Sequence, residues 1–170
     1  MFLFFLKQAA RSLGSLIVLL LLIRGFVVEP GRVNGQSMER TFMDADLFLV
    51  NKYVLLLRAP QRGDIVQAID PLSKHLVIKR VIGLPGERLA IHGGKVYLRG
   101  DDEMETLIDE PWLDDEEWTT SSNNRDEVYV PIQPQSYFLI GDNRDHSADS
   151  RIYGGVHRKD IYGLVIKPPF

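Results

Sequence analysis

The part of the chain best suited to chemistry is an eleven-residue run rich in acids, arginines and serines, Gly141 to Arg151. It follows the apolar stretch Tyr137 to Ile140, which is typical of a buried strand. Charges next to such a strand must pair or stay in water, because an unpaired buried ion costs several kcal/mol. Carboxylates and the fork-shaped guanidinium groups of arginine suit such pairing. The run therefore predicts an internally paired network that holds other groups in place, rather than a plain solvated loop.

Composition excludes several classes of site. The chain has no cysteine, so disulfides, a cysteine nucleophile and thiolate metal sites are excluded. A Ca²⁺ loop within Asp142 to Asp149 would need a central glycine and a terminal glutamate, and both are missing. We therefore predict no metal and no cofactor. Without three bases near the start of the chain, 17 bases and 23 acids remain, a charge of −6. Nucleic acid is thus an unfavourable partner.

Four stretches resemble the signature boxes of the type I signal peptidases, and they occur in the expected order. Gly141 to Arg151 resembles the last box, Asn34 to Phe42 the nucleophile box, Arg62 to Val66 the short box after it, and Lys79 to Glu87 the lysine box. The resemblance covers most of the chain. It implies a membrane-anchored serine endopeptidase of mostly β structure that removes signal peptides from exported preproteins, cutting after small residues.

The resemblance implies that Ser37 is the nucleophile and that Lys79 is its base. From local sequence alone, a serine after glycine and glutamine would be a turn residue, and a lysine would be solvated. Free lysine titrates at ~10.4, so it acts as a base near neutral pH only when desolvation makes its ammonium costly. Strand alternation puts Lys79 on the face of Val77 and Val81, where apolar neighbours supply such a wall.

A histidine base is the alternative that the residues themselves leave open. The chain has four histidines, and His146 lies between Asp145 and Asp149. It could therefore complete a Ser-His-Asp set with Ser37. The resemblance favours lysine instead.

The last box acquires supporting roles from the same resemblance. Ser147 corresponds to the serine that hydrogen-bonds the lysine, and Asp149 and Arg151 correspond to a pair that braces the site. Asp142 and Arg144 correspond to further members of the network. A base must be held within hydrogen-bond reach, so these residues are expected to act by positioning it.

The chain departs from the family pattern at three positions. Certain members carry an oxyanion-binding serine two residues before the nucleophile; here Gly35 stands there, as is usual in the Gram-positive type. This leaves the Ser37 backbone N–H as the assigned oxyanion donor and a second donor unassigned. The family's proline after the nucleophile is Arg40, which is expected to loosen the turn because proline fixes φ. The usual asparagine of the last box is His146, which could alter the pH response.

Substrate is expected to bind as an added strand. An extended peptide would lie between Val33–Gln36 and Leu76–Ile78 and pair through main-chain hydrogen bonds. Specificity for small residues implies shallow apolar pockets. The expected lining residues, each equally compatible with a place in the core, are Val33, Gly35, Met38, Val77 and Ile78.

The N-terminal segment Leu13 to Val28 is apolar apart from one serine, one arginine and two glycines. At ~1.5 Å per residue it spans about 24 Å, so it needs Ala9 and Ala10 to cross a ~30 Å hydrocarbon core. A cleaved signal peptide is disfavoured because no small-x-small site follows Ile23. A buried core helix is an open alternative.

We predict an uncleaved anchor in residues 1–28. Lys7 and Arg11 precede the span, which favours a cytoplasmic N-terminus and an extracytoplasmic main domain. Ser37 lies nine residues past Val28. Even fully extended, that length reaches only ~30 Å, so the nucleophile must stay close to the membrane.

Residues 29–170 predict one mostly β domain with a coiled or barrel-like sheet, because short β-branched runs alternate with turn residues. Gly93-Gly94 predicts a tight hairpin. The acidic stretch 99–127 predicts a small insertion or flap outside the core. Val54 to Leu57 is apolar without alternation, so a buried strand is the default and a membrane-dipping loop is the alternative.

Together these inferences predict a Ser37/Lys79 signal peptidase whose partners are signal peptides and the lipid bilayer. One alternative is a catalytically silent, membrane-anchored peptide-binding paralogue, suggested by Arg40 and His146. Another is a self-cleaving Ser-Lys regulator of the repressor type. The repressor type is disfavoured because the chain carries an apolar N-terminal segment and no DNA-binding helix pair.

Overall fold

The computed structural model describes residues 2–26, 28–114, 118–120 and 127–168. Its first element is the helix α1 (Phe2–Phe26), which is 25 residues long and therefore about 37 Å at ~1.5 Å per residue. Within it, Phe4–Leu21 has a mean hydropathy of 1.5, is long and apolar enough to cross a membrane, and has none of its residues buried. The alternative of a buried core helix is therefore wrong.

The helix begins eleven residues before Leu13, the start expected from hydropathy. It runs through Lys7 and Arg11 because lysine, arginine, glutamine and alanine are good helix formers. The two cations consequently lie on the helix itself rather than before it. Long basic side chains can reach the headgroup region from such positions.

The main sheet is antiparallel and has seven strands, in the order β1-β2-β11-β3-β4-β9-β10. Its strands are β1 (Val28–Arg32), β2 (Leu47–Asn51), β3 (Ile65–Ile69), β4 (Leu76–Gly83), β9 (Ser136–Ile140), β10 (Val156–His157) and β11 (Ile161–Ile166). The sheet curls into a half-barrel, and the predicted mostly β fold is confirmed.

A second sheet has four strands in the order β7-β6-β5-β8. These are β5 (Arg88–His92), β6 (Lys95–Arg99), β7 (Glu105–Leu107) and β8 (Glu127–Pro131). The predicted Gly93-Gly94 hairpin is confirmed, and both glycines adopt positive φ, 53° and 76°, as a two-residue turn of this type requires.

The stretch 99–127 is more closely tied to the core than the predicted flap. It contributes β7 to the second sheet, and Ile108 is only 7% exposed in a core cluster against which Trp112 packs. Positions 115–117 and 121–126 of this stretch lie outside the described residues.

The loop that follows β1 is fixed by two side chains. Met38 and Phe42 are 1% and 0% exposed and pack in a cluster with Val33, Phe48 and other apolar residues. The bond from the Phe42 N–H to the Met38 carbonyl oxygen, 2.8 Å, closes a turn between them. Two buried side chains that flank a turn restrict its backbone. The backbone of Ser37, which directly precedes Met38, is therefore held in one position.

Val54–Leu57 forms a single helical turn, α2, and the prediction of a buried strand is wrong. The Asn51 side-chain oxygen accepts the Val54 N–H at 3.1 Å, which starts a turn where the strand β2 ends. Only Leu55 is buried, whereas Leu56 and Leu57 are 80% and 70% exposed. The membrane-dipping alternative requires apolar side chains exposed at the surface, and Leu56 and Leu57 meet this requirement.

Candidate active site

Ser37 and Lys79 come together although 42 residues separate them in the chain. Ser37 lies in the loop after β1, and Lys79 lies at the centre of β4. Lys79 Nζ is 2.5 Å from Ser37 Oγ, within hydrogen-bond distance, and Lys79 is only 3% exposed. A lysine amine in direct contact with a serine hydroxyl can act as its base if it loses its own proton.

Burial is what makes that proton easy to lose. Desolvation lowers the pKa of Lys79 from its ordinary 10.5 to about 8, although the charges of Asp149 and Asp70 oppose the shift. The strand β4 is covered on both faces, since every residue from Ile78 to Gly83 is buried. Val81 packs in the same cluster as Val66, the residue opposite Lys79 on β3, whereas Ile78 belongs to a different cluster.

A buried ion pair joins three of the signature segments. Arg80 donates to both oxygens of Asp142, through Nε at 2.8 Å and Nη2 at 2.5 Å, and the two side chains are 8% and 0% exposed. Thr41 Oγ1 also donates to Asp142, at 2.5 Å. The loop after β1 that carries Ser37 (residues 33–46, called the nucleophile loop after the box it resembles), β4 and the last box are therefore linked by one carboxylate. Sequence reasoning assigned no role to Arg80 or Thr41; the signal available was the position of Arg80 beside Lys79.

A second buried pair lies within the last box. Arg151 donates to Asp149 through Nε at 2.8 Å and through Nη2 at 2.9 Å, and the side chains are 5% and 0% exposed. Asp149 also caps the short helix α3 (Ser150–Tyr153) and accepts the Gly141 N–H at 3.1 Å. These contacts are the internal pairing that the run Gly141 to Arg151 predicts.

Arg144 completes the charged cluster, and its side chain is fully buried. Its guanidinium donates to both carboxylate oxygens of Glu110, to Thr119 Oγ1, and to the Gly141 carbonyl oxygen at 3.2 Å. Glu110 and Thr119 were missed from sequence, because nothing distinguishes Glu110 from the other acids of its stretch. Among the described residues no group of three or more acids, histidines or cysteines is placed to hold a metal ion.

The expected bond between Ser147 and Lys79 is not formed. Ser147 Oγ is buried and has no hydrogen-bond partner in the part of the chain that the structure describes. It lies against Gly141 instead, where an added Cβ would overlap both Ser147 Oγ and the Ser37 carbonyl oxygen. Gly141 therefore occupies the narrow space between Ser147 and the backbone of Ser37.

The backbone of the nucleophile loop explains Gly35. Gly35 has φ +100°, a region in which side chains are strained, and its N–H donates to Asp44 Oδ1 at 2.9 Å. A serine at this position would need a different backbone, so no side-chain oxyanion donor is available there. The Ser37 N–H makes no hydrogen bond within the described residues, which leaves it available for an oxyanion.

Arg40 does more than replace a proline. Its φ of +85° cannot be reached by proline, so the turn after Ser37 differs in conformation from a proline turn. Its guanidinium pairs with Asp114, across 74 residues of sequence. The expectation of a looser turn stays a prediction, since the ion pair is exposed, with side chains 40% and 78% accessible, and such pairs restrain a backbone weakly.

His146 does not contact Ser37. It is exposed, its Nδ1 lies 3.2 Å from Asn143 Oδ1, and it lines a pocket of about 520 Å³ together with Asn34, Gly35 and other residues. Ser37 Oγ bonds to Lys79 instead. The alternative Ser-His-Asp arrangement is therefore not formed.

A cavity of about 250 Å³ leads to Ser37 and contains three of the five expected lining residues, Val33, Val77 and Ile78. Met38 does not line this cavity; it is 1% exposed and lies in a core cluster, the other place that the sequence allows for it. Gly35 lines the neighbouring pocket with His146. The strand β9 pairs with β4 only from Arg80 onward, so residues 76–78 keep a free hydrogen-bonding edge that faces this cavity.

Comparison with known proteins gives a consistent result. The family described as "Signal peptidase, peptidase S26" matches residues 6–168. A "Signal peptidase I" from Bacillus licheniformis is 37% identical over 172 residues, covering 93% of this chain and 85% of the relative. One from Leptolyngbya laminosa is 32% identical over 169 residues, covering 95% and 78%. The crystal structure of a signal peptidase I from Enterococcus faecalis V583 has a TM-score of 0.51 and 26% identity, covering 64% of this chain and 98% of that one.

Proposed function

Because the chain belongs to the signal peptidase family, peptidase S26, and is thus a serine peptidase, we propose that it cleaves signal peptides with a Ser37/Lys79 dyad. The substrates are exported preproteins, cut after small residues. The observation that carries this proposal is the 2.5 Å contact between a serine hydroxyl and a lysine amine that is 3% exposed. An amine that retained its ordinary pKa would be protonated at neutral pH and could not accept the serine proton.

The proposed reaction has two halves. Neutral Lys79 takes the Ser37 proton as Oγ attacks the scissile carbonyl carbon, and the Ser37 N–H donates to the resulting oxyanion. Protonated Lys79 then gives its proton to the leaving amine, which becomes the N-terminus of the mature protein. In the second half, Lys79 takes a proton from water as the hydroxide attacks the acyl carbon of the acyl-enzyme. Lys79 then returns that proton to Ser37 Oγ as the acyl C–O bond breaks, so the signal peptide leaves with a free carboxyl group and the neutral amine is restored.

The free edge of β4 supports an extended mode of binding. A peptide in the cavity beside residues 76–78 could form main-chain hydrogen bonds to that edge while its side chains alternate between the two walls. Val33, Val77 and Ile78 are apolar and belong to its lining. Small side chains at alternate positions of the peptide fit such a shallow groove, which accounts for the proposed preference.

Replacing Ser37 with alanine tests the proposal. We expect Ser37→Ala in the full-length chain, in detergent micelles, to lose cleavage of a preprotein by at least about 10,000-fold, because removal of a nucleophile leaves only binding and oxyanion effects. The measurement is the rate at which mature protein appears on a gel. The control is His146→Ala, which should stay within about tenfold of the wild type, since His146 does not contact Ser37.

Three outcomes would contradict the assignment. Cleavage that persists in Ser37→Ala would exclude Ser37 as the nucleophile. Loss of all activity in His146→Ala would restore the histidine base. A wild-type chain that binds signal peptides but never cuts them would favour the catalytically silent alternative.

We further propose that α1 anchors the chain with its N-terminus in the cytoplasm, and that α2 docks on the outer face of the same bilayer. Val28, two residues after the end of α1, is the register partner of Asn51 on β2. The turn α2 begins three residues after Asn51. The exposed Leu56 and Leu57 therefore lie at the end of the sheet where the apolar helix joins it, and burying them in lipid would remove apolar surface from water.

A single-cysteine scan can detect this docking, because the chain has no native cysteine. The full-length Leu56→Cys variant, labelled with a polarity-sensitive fluorophore, is reconstituted in lipid vesicles. The emission should lie to the blue of its value in water only if position 56 enters lipid, and the direct measurement is quenching of the fluorophore by brominated phospholipid. We expect strong quenching at position 56. Met104→Cys is the control, since Met104 is 69% exposed in the turn between β6 and β7. Equal quenching at both positions would contradict docking through α2.

A further inference from the structure

The acidic stretch between β7 and β8 contacts arginines from three of the four signature segments. The residues concerned are 108–114 and 118–120. Its contacts are Asp114 with Arg40, the Trp112 ring 4.3 Å from the Arg80 guanidinium, Glu110 and Thr119 with Arg144, and the Thr120 carbonyl oxygen 3.3 Å from Arg151 Nη1. One short stretch of chain therefore touches the nucleophile loop, the lysine strand and the last box.

Of the two ion pairs among these contacts, the one between Glu110 and Arg144 is much the more deeply buried. The side chains are 8% and 0% exposed, and the two carboxylate oxygens accept from the two terminal nitrogens of the guanidinium. A two-pronged pair fixes the plane of the guanidinium as well as its position. Removing the carboxylate's charge would leave a buried arginine poorly compensated, which is far more costly than losing a surface pair.

Two contacts connect Arg144 to the backbone of Ser37. Arg144 Nε donates to the Gly141 carbonyl oxygen at 3.2 Å. Gly141 lies against the Ser37 carbonyl oxygen, which also accepts the Asn143 N–H at 3.1 Å. A displaced guanidinium would therefore shift the backbone of residues 141–143, and that backbone holds the nucleophile in contact with the lysine.

We infer that Glu110 is a positioning residue for the Ser37–Lys79 pair, acting through Arg144 and the backbone at Gly141. The inference rests on the proposed Ser-Lys function. The sequence predicts that this stretch is an insertion outside the core. The inference gives it a role, which is to hold the last box against the nucleophile loop. The effect should fall on the chemical step rather than on substrate binding, since Glu110 does not line the cavity that leads to Ser37.

The test is Glu110→Gln in the full-length chain, which keeps the shape of the side chain and removes its charge. We expect kcat for an internally quenched signal-peptide substrate to fall about 100-fold, with KM within about twofold, because the contact acts on the geometry of the transition state. The rise of kcat/KM with pH should also move to higher pH, because a loosened site lets water reach the Lys79 amine. The matched control is Glu105→Gln, whose carboxylate pairs with His92 and Arg99 in the second sheet, away from the site.

Glu110→Asp and the double variant Glu110→Gln/Arg144→Gln separate positioning from folding. Partial recovery of kcat in Glu110→Asp, and recovery of thermal stability without kcat in the double variant, would support the inference. An unchanged kcat and pH profile in a folded Glu110→Gln would overturn it. If Ser37→Ala retained activity, the proposed dyad itself would fail, so the two failures are distinguishable.

Discussion

Replacing Lys79 with methionine is expected to abolish preprotein cleavage and, at the same time, to make the folded protein more stable near pH 7. Loss of the base should lower kcat by about 10,000-fold or more, since no other amine or imidazole contacts Ser37 Oγ among the described residues. Methionine has nearly the volume of lysine and suits the apolar surroundings of Val66 and Val81. Activity and stability should therefore change in opposite directions.

The gain in stability follows from the lowered pKa. In the unfolded chain Lys79 titrates at its ordinary 10.5, and in the folded protein at about 8. The unfolded state thus binds more protons between these values, and stability rises with pH across that window. Below about pH 8 the full penalty of the buried ammonium is present, on the order of 3 kcal/mol, and methionine would remove it.

Two measurements check these expectations. Thermal unfolding of both proteins near pH 7 should give a higher Tm for Lys79→Met, and the difference should shrink by about pH 10, where the folded wild type carries a neutral amine. The pH profile of wild-type kcat/KM should rise through about pH 8. A lower Tm for Lys79→Met together with a rate that does not rise above neutral pH would contradict both the desolvation and the role of the amine.

Gly141→Ala is expected to have the second-largest effect. An added Cβ would overlap the Ser37 carbonyl oxygen and Ser147 Oγ and would come within 2.6 Å of Ser147 Cβ. Since two of these three atoms belong to backbone or to the first carbon of a side chain, neither can rotate away. The nucleophile loop must move, and a displacement of about 1 Å from productive geometry can cost about 100-fold in rate.

We expect Gly141→Ala to lose at least about 100-fold in kcat and to unfold at a lower temperature. The matched control is Gly155→Ala, where the nearest contact for a new Cβ is Ser136 Cβ at 3.2 Å and no site residue is touched. Reactivity of Ser37 toward a fluorophosphonate probe gives a second readout that does not depend on substrate binding. Wild-type labelling and turnover in Gly141→Ala would show that the loop tolerates displacement and would contradict a tight contact between Gly141 and Ser37.

The local patterns of the sequence were sufficient for the hairpin at Gly93-Gly94 and for the mostly β fold, because two-residue turns and strand alternation depend on neighbouring residues alone. The alternation also placed Lys79 on the correct face of β4. The pairing of Asp149 with Arg151 is similarly local, since the two residues are two positions apart and their charges must be compensated where they are buried.

The long-range partners could not be predicted. Glu110 reaches Arg144 across 34 residues and Arg40 reaches Asp114 across 74, and nothing in the sequence around either acid sets it apart. For Ser147 the resemblance predicts a hydrogen bond to Lys79, whereas local packing places its hydroxyl against Gly141. A resemblance between sequences does not include such packing. Val54–Leu57 was assigned to a strand because apolarity was counted without the capping oxygen of Asn51.

The short chain between α1 and Ser37 limits how far Ser37 can lie from the end of the helix. The strand β1 has five residues, and at ~3.3 Å per residue it covers about 17 Å before the nucleophile loop begins. The cavity that leads to Ser37 is lined along this strand, from Glu29 to Asn34. On the anchoring proposed for α1, a preprotein whose own apolar helix stops at the same bilayer surface would have to span a similar height in extended form. Geometry as well as side chains would then set the length between that helix and the cut.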